Sequence, residues 1–249
     1  MGSLTAAAAV PAQKHFALTH IVYDASPLGA LLALLSLSPI FLFVAYFALV
    51  VFGRRLSLLL LAAGSVANEA LSLALKRALR APRPFPHLAH VGHGYGMPSS
   101  HAQAGAFVLA WGVGYAMSLD ARYSRAAGAR GQRAEAMRRV RVGIYLFGLA
   151  AWSVAVAYSR YALRYHSIPQ IAAGYAVGLV AGAAWYVLTE HIARTAPESI
   201  PGRIRRSIEW LWIGLGGIGG WQLGGAEGGW LEGWMFGVHD AEHIERKAQ

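Results

Sequence analysis

Long uncharged runs dominate the pattern of hydrophobic and polar positions along the chain. The first run, Leu28–Phe52, extends over 25 residues without a charge, and the last, Ser167–Thr189, extends over 23. A helix needs about 20 predominantly apolar residues to cross the hydrocarbon core of a bilayer. The pattern predicts five membrane-spanning helices, at about 28–52, 56–79, 102–119, 142–159 and 168–189. Pro39 is expected to bend the first helix without ending it.

Two polar or mixed segments complete this picture. Asp120–Arg141, with seven arginines and two acidic residues, is predicted to be a loop. Ile208–Leu223 is aromatic and apolar but contains Glu209 and five glycines, so it predicts an interfacial or re-entrant segment and leaves a sixth span open. The predicted fold class is all-α, a polytopic membrane helical bundle. Its predicted regions are an N-terminal segment (1–27), a membrane domain (28–190) and a C-terminal tail (191–249).

Composition supports a membrane protein. Of 249 residues, 56% are hydrophobic and 14% charged, whereas soluble domains carry about 25% charged residues. The net charge of +10 lies mostly in short segments beside the apolar runs, and no nucleic-acid-binding motif accompanies it. Nucleic acid is therefore not expected as a partner. The absence of cysteine excludes disulfides and thiolate chemistry.

The distribution of Lys and Arg predicts the orientation. The segments after the first and third spans, together with the tail, hold fifteen of them, and cytoplasmic loops are enriched in these residues. The opposite side holds seven: Lys14, Lys76, Arg77, Arg80, Arg83, Arg160 and Arg164. We therefore expect an N-terminus outside the cytoplasm and a cytoplasmic C-terminus. No cleavable signal is recognised, so the first long helix is expected to direct membrane insertion.

Three unusual clusters lie on one predicted membrane face, and two of them contain all of the seven minority charges except Lys14. They are "KRALRAPRP", from Lys76 to Pro84, "PSSH", from Pro98 to His101, and "SRYALRYHSIPQ", from Ser159 to Gln170. Each cluster adjoins the end of a predicted span on the side poor in arginine. The order of the spans alone brings the three clusters to the same membrane face.

The residue types in these clusters suit phosphate chemistry. Lys76, Arg83 and Arg160 are cations without acidic neighbours in sequence, and Arg offers a fork of donors that matches phosphate. A helix is predicted to begin at "PSSHAQ", where unpaired backbone N–H groups form an anion site. Ser100 and Gln103 have the spacing of a capping box. With His101 and His166, the clusters predict a phosphoryl-transfer site that has a nucleophile and an acid–base.

The clusters resemble the signature of the type 2 phosphatidic acid phosphatase superfamily, which is related to vanadium haloperoxidases. Its motifs read K-x6-R-P, P-S-G-H and S-R-x5-H-x3-D. The chain has Lys76…Arg83-Pro84, Pro98-Ser-Ser-His101 and Ser159-Arg160…His166…Gln170. Ser100 replaces Gly and Gln170 replaces Asp. Both departures resemble one branch, the dolichyldiphosphatases of the endoplasmic reticulum, as do "LTHIVYD", "LSLSP", "NEALSLALKRALRAPRP", "YGMPSSHAQ" and "YSRYALRYHS".

The resemblance implies a mechanism and a set of roles. His166 would attack the terminal phosphorus, and His101 would protonate the leaving oxygen and later activate water. Lys76, Arg83, Ser99, Arg160 and the backbone N–H of Ser100 would bind the phosphate oxygens. No metal or other cofactor is implied. The implied substrate is dolichyl diphosphate in the endoplasmic reticulum membrane, hydrolysed on the lumenal side to recycle the carrier lipid for N-glycosylation, and no obligate protein partner is implied.

Gln170 is expected to orient His166 in place of the Asp of the superfamily. An amide oxygen can accept a hydrogen bond from the ring but adds no charge. We expect this to be tolerated because the leaving group is a lipid phosphate rather than an alkoxide.

Several alternatives stay open at this stage. Glu69 could support the wall of the site or form an interhelical hydrogen bond. His87, His90 and His93 have a spacing that could bind zinc, although a Gly-rich loop organises such a site poorly. The alternative functions are a phosphatase of phosphatidate or another lipid phosphate, and a catalytically inactive membrane scaffold.

Overall fold

Helices make up most of the chain in a computed structural model, which describes residues 13–15, 21–53, 55–84, 94–126 and 132–218. A short antiparallel hairpin, β1 (Gln13–His15) and β2 (Val22–Asp24), precedes the helices. The helices are α1 (Pro27–Gly53), α2 (Leu56–Leu79), α3 (Ser100–Ala126), α4 (Gln132–Ala162), α5 (Ile168–Tyr186), α6 (Ala193–Thr195) and α7 (Ile200–Ile218). A π-helical turn, Val187–Ile192, joins α5 to α6. The all-α fold class is confirmed.

Five helical segments in the described ranges are long and apolar enough to cross a membrane, which confirms the five predicted spans. They are Pro27–Phe52, Leu56–Leu79, Ser100–Ala121, Glu135–Ala162 and Ile168–Thr195. α1 continues through Pro39, as expected. Large apolar side chains such as Phe47, Phe147 and Val180 are exposed on the outside of the bundle. Contact of these side chains with lipid tails is favourable, whereas their exposure to water would cost free energy.

The predicted loop at Asp120–Arg141 is wrong for most of its length. α3 continues to Ala126 and α4 begins at Gln132. Charged residues can be accommodated here because Arg138, although buried, is paired with acids. Its Nε donates to Glu135 at 2.9 Å, and its Nη1 donates to the carboxylate of Asp120 on the neighbouring helix. The ion pairs let both helices extend beyond their apolar sections.

The N-terminal hairpin packs beside the connection between α4 and α5. Ile21, next to β2, forms a buried apolar cluster with Leu37 of α1 and with Leu163 and Tyr165 of the connection, and Tyr23 packs against it. This cluster buries one side of the segment that carries the predicted nucleophile.

The backbone of α5 lies directly against that of α3, and these two helices share the most extensive contact in the bundle. A Cβ atom added at Gly174, Gly178 or Gly182 would lie 2.5, 2.2 or 2.4 Å from a main-chain oxygen of α3 or of Ser99. Small residues at every fourth position permit this approach. It places the start of α3 beside the start of α5.

The segment after the fifth span forms an amphipathic helix rather than a further apolar run. α7 begins at Ile200, eight residues before the predicted interfacial segment, and is not among the five candidate spans. Arg205 on its inner face binds the buried carboxylate of Glu190 at 3.4 Å, whereas Ile204 and Leu211 are exposed. Residues 219–223 of the predicted segment lie outside the described residues.

We predict that Gly178→Ala destabilises the bundle by about 1–3 kcal/mol, the usual cost of overpacking. The added methyl group would meet main-chain atoms of Gln103 that cannot move aside. Gly148→Ala on α4 is the matched control, because nothing lies within 4 Å of its Cβ position. Thermal unfolding in detergent should give a lower Tm for Gly178→Ala and an unchanged or slightly higher one for Gly148→Ala. Equal Tm values would contradict the close packing of α3 on α5.

Candidate active site

Hydrogen bonds join the three predicted clusters at one end of the bundle. The ammonium group of Lys76, at the end of α2, donates to the hydroxyl of Ser100 at 3.0 Å. The backbone N–H of Ser99, just before α3, donates to the carbonyl of Gln170 at 3.1 Å. The ring of His166, between α4 and α5, contacts the carbonyl of Gly96 at 2.9 Å. The convergence predicted from the order of the spans is confirmed.

Three cations and two histidines share this end of the bundle. His101 lies within electrostatic range of all four of the others, which are Lys76, Arg83, Arg160 and His166. Lys76 interacts with the carboxylate of Glu69 on the same helix and, more weakly, with Arg83 and Arg160. Burial lowers the pKa of the Arg83 guanidinium, yet an arginine side chain remains charged in proteins. The site therefore concentrates positive charge.

Arg160 is held in place by neutral groups. Its Nη1 donates to the hydroxyl of Ser36 on α1, and its guanidinium lies 4.1 Å from the ring centroid of Tyr165. Its carbonyl accepts hydrogen bonds from the backbone N–H groups of Tyr165 and His166, at 3.1 and 3.2 Å. Arg160 is thus fixed without neutralisation of its charge.

Among the residues that the structure describes, three buried polar atoms at the site have no hydrogen-bond partner. They are the Nε atoms of Arg83 and Arg160 and the hydroxyl of Ser99. Buried donors are normally paired, and exceptions call for an explanation. Because the three belong to three separate segments and two of them carry positive charge, their common feature is fitness to bind an anion such as phosphate.

The start of α3 differs from the sequence prediction. The helix begins at Ser100, and the carbonyl of Ser99 accepts the first intrahelical bond from Gln103 at 2.9 Å. The predicted capping box of Ser100 and Gln103 is wrong. The side chain of Gln103 is fully buried and donates to both oxygens of Asn68 on α2 at 3.0 Å. Gln103 binds Asn68 across the helix interface instead of forming the predicted local contact with Ser100.

The hydrogen bond at Gly96 determines the tautomer of His166. A carbonyl oxygen can only accept, so Nδ1 of His166 carries the proton and donates to it at 2.9 Å. Nε2 of the neutral ring then holds a lone pair. Burial, and secondarily the charge of Arg160, lower the pKa of His166 to about 3. The ring is therefore neutral at physiological pH, as a nucleophile requires.

Gln170 contacts His166 and two further groups. Its Oε1 lies 3.3 Å from Nδ1 of His166 and accepts from the backbone N–H of Ser167, also at 3.3 Å. Its Nε2 donates to the carbonyl of Pro82 at 2.8 Å. Ser167 is the N-cap of α5 and Gln170 is the N3 residue, so the capping arrangement occurs at this helix. Gln170 contacts the nucleophile, but the Gly96 carbonyl is the nearer partner.

Sequence reasoning missed three neighbours of the site: Ser36, Gly96 and Tyr165. Ser36 lies within "LSLSP", which resembles the dolichyldiphosphatase branch without revealing a role. Gly96 lies two residues before Pro98, the first residue of the "PSSH" cluster, and a Cβ atom there would lie 2.6 Å from Nε2 of Gln170. Only the contacts across the bundle show what these residues do.

The remaining candidates are the histidines of the predicted zinc motif and Glu69, which lies within electrostatic range of Lys76. His87, His90 and His93 lie outside the described residues. Within the described ranges, no three His, Asp or Glu side chains form a group that could hold a metal ion. Glu69 lines a small cavity between α1, α2 and α3. Its neighbours on the same face of α2, Ser65 and Ser72, are buried.

Comparison with known proteins agrees with this geometry. The model of the PAP2 superfamily matches residues 16–194, well over half of the chain. The chain belongs to the PAP2 superfamily. All eight predicted site residues of this superfamily member lie at the same end of the bundle: Lys76, Arg83, Ser99, Ser100, His101, Arg160, His166 and Gln170.

Within the PAP2 superfamily, the chain is similar to curated dolichyldiphosphatases. It is 35% identical to dolichyldiphosphatase 1 of Homo sapiens over 178 residues, which is 70% of this chain and 71% of that protein. The same values hold for dolichyldiphosphatase 1 of Callithrix jacchus. Identity to the dolichyldiphosphatase of Saccharomyces cerevisiae is 28% over 176 residues, 68% of each chain. No solved structure matches the chain.

Proposed function

We propose that the protein hydrolyses dolichyl diphosphate to dolichyl phosphate and inorganic phosphate. The observation that carries this proposal is a buried neutral histidine, His166, whose Nδ1 is held by the Gly96 carbonyl, in a site with three cations. Lys76, Arg83 and Arg160 supply the charge that a terminal phosphate requires, and Ser99 supplies an unpaired hydroxyl. The similarity to dolichyldiphosphatases specifies the lipid.

The proposed reaction has two steps. Nε2 of His166 attacks the terminal phosphorus, and the bond from that phosphorus to the bridging oxygen breaks. Dolichyl phosphate leaves with a proton from His101, and phosphohistidine remains. Water then gives a proton to His101 and attacks the phosphorus, which releases phosphate and restores His166. The cations and the backbone N–H of Ser100 stabilise the charge on the phosphoryl oxygens throughout.

The absence of a carboxylate beside His166 suits this substrate. Phosphorylation gives the imidazole a positive charge, which a carboxylate would stabilise and an amide does not. The leaving group is a phosphate with a second pKa near 6, so it departs more easily than an alkoxide. The Gly96 carbonyl and Gln170 keep the proton on Nδ1 without adding charge.

We further propose that the site faces the lumen of the endoplasmic reticulum and that the enzyme recycles carrier lipid for N-glycosylation. The end of the bundle opposite the site carries Arg138, Arg194 and Arg205, and Lys and Arg concentrate on the cytoplasmic side of membrane proteins. A cytoplasmic C-terminus follows from this orientation.

Glycosylation mapping tests the orientation. We predict that an acceptor sequence inserted near His90, on the side of the site, is glycosylated in microsomes. An acceptor inserted near Gly128, in the connection of α3 and α4, should remain unmodified and serves as the matched control. The reverse pattern would place the site in the cytoplasm.

Phosphate release from defined lipids tests the activity. The purified protein should release phosphate from dolichyl diphosphate at least about tenfold faster than from phosphatidate, because departure of a phosphate group requires less stabilisation than departure of an alkoxide. Faster hydrolysis of phosphatidate would favour a phosphatase of lipid phosphate monoesters. No release from any lipid phosphate would indicate an inactive scaffold.

Trapping of the phosphoenzyme separates the roles of the two histidines. His166→Ala should be inactive and acquire no label from substrate labelled in its terminal phosphate. His101→Ala should still phosphorylate His166, because the first step needs a proton least when the leaving group is good, and should then stall. Acid-labile label should therefore accumulate on His101→Ala. Label on His166→Ala would show that another residue is the nucleophile.

A further inference from the structure

Gln170 is the residue at which the three clusters of the site meet. Its Oε1 contacts His166 at 3.3 Å, its Nε2 donates to the carbonyl of Pro82 at 2.8 Å, and its own carbonyl accepts from Ser99 at 3.1 Å. The side chain is buried. The bond to Pro82 also links Gln170 to the cluster that contains Arg83, which a contact with the histidine alone would not do.

We propose that Gln170 is a positioning residue whose amide nitrogen holds Arg83 in its phosphate-binding position relative to His166. The proposal rests on the proposed function, because it assigns a role within the same site. It differs from the expectation that glutamine merely substitutes for a carboxylate beside the nucleophile.

The hydrogen bond to the carbonyl of Pro82 requires a donor, which the amide of Gln170 supplies. A carbonyl oxygen accepts hydrogen bonds, so the group 2.8 Å from it must be a donor. A carboxylate in the same place would set two acceptors against each other in a buried position, which is costly. Aspartate would also be one methylene shorter, and it could not reach both Pro82 and His166. The residue usual in the superfamily therefore does not fit this chain.

The backbone around Arg83 connects the hydrogen bond at Pro82 to the position of the Arg83 side chain. Pro82 and Pro84 flank this arginine, and each proline restricts the backbone of its own residue and of the one before it. Fixing the carbonyl of Pro82 thus fixes the start of the Arg83 side chain. The Nε of Arg83 is buried and has no partner in the described part of the chain, so the way its backbone is held contributes to the orientation of its guanidinium.

Gly96 supplies the space that this arrangement needs. Its N–H donates to the carbonyl of Ala81 at 2.7 Å, and its carbonyl accepts from His166. A Cβ atom at Gly96 would lie 2.6 Å from Nε2 of Gln170. The backbone of Gly96 and the side chain of Gln170 are therefore two parallel links between the Arg83 segment and the nucleophile, and only the second can be altered by substitution of Gln170.

Binding of inorganic phosphate to the purified full-length protein tests the proposal, with ³¹P NMR line broadening to read weak affinities. Gln170→Glu keeps an acceptor for His166 and removes the donor to Pro82. We expect its Kd for phosphate to rise about tenfold. KM for dolichyl diphosphate should rise by a similar factor, and kcat should change less. Gln170→Asp should lower kcat/KM as well. A large increase in its rate would overturn the proposal.

A double-mutant cycle with Arg83→Gln separates the positioning role from the added negative charge. If Gln170 acts through Arg83, the effect of Gln170→Glu on Kd should largely disappear in the Arg83→Gln background. If charge alone weakens binding, the effect should persist undiminished, and the proposal is wrong. A merely structural role would lower Tm and weaken phosphate binding irrespective of Arg83.

Gly96→Ala provides an uncharged second variant. Its methyl group should displace the amide of Gln170 and weaken phosphate binding by a factor similar to that of Gln170→Glu. Wild-type affinity in this variant would contradict the proposal. Phosphate binding is measured without turnover. If the double-mutant cycle shows the expected coupling of Gln170 and Arg83 but the protein releases no phosphate from diphosphates, only the proposed function is rejected.

Discussion

The close approach of α5 to α3 is the constraint on which the rest of the site depends. Gly174, Gly178 and Gly182 allow the two backbones to touch along the length of a span. At the top of this contact the N–H of Ser99 reaches the carbonyl of Gln170. A wider separation would break this bond and would move the phosphate-binding start of α3 away from the helix that follows His166.

Buried charges form ion pairs at one end of the bundle but not at the other. At the end that holds α7, Arg138 is paired with Asp120 and Glu135, and Glu190 binds Arg194 and Arg205. At the site, no salt bridge in the described part of the chain joins Lys76, Arg83 or Arg160 to a carboxylate. Arg160 is held by a hydroxyl and an aromatic ring instead. The carboxylate of Glu69 lies within electrostatic range of Lys76, but buried cations without a paired carboxylate are costly in the absence of a ligand, and a phosphate group would remove that cost.

The same excess of positive charge explains the state of the nucleophile. Burial and Arg160 both disfavour a proton on Nε2, so His166 remains neutral and nucleophilic. A carboxylate beside the ring would oppose this effect. Gln170 and the carbonyl of Gly96 direct Nδ1 without opposing it, and the amide still has a donor left for Pro82. One side chain thereby serves the nucleophile and the neighbouring cluster together.

The sequence by itself determined the number of spans, the membrane face on which the clusters meet and the residue types of the site. These follow from local properties: uncharged runs long enough to cross a bilayer, and chain order that places their ends. It could not determine where individual polar side chains point. The side chain of Gln103 binds Asn68 instead of capping its own helix, and the described parts of Asp120–Arg141 are helical, with Arg138 paired to acids. His166 binds the carbonyl of Gly96, and Gln170 binds the carbonyl of Pro82. Such contacts join residues far apart in the chain, so only the packing of the helices decides them.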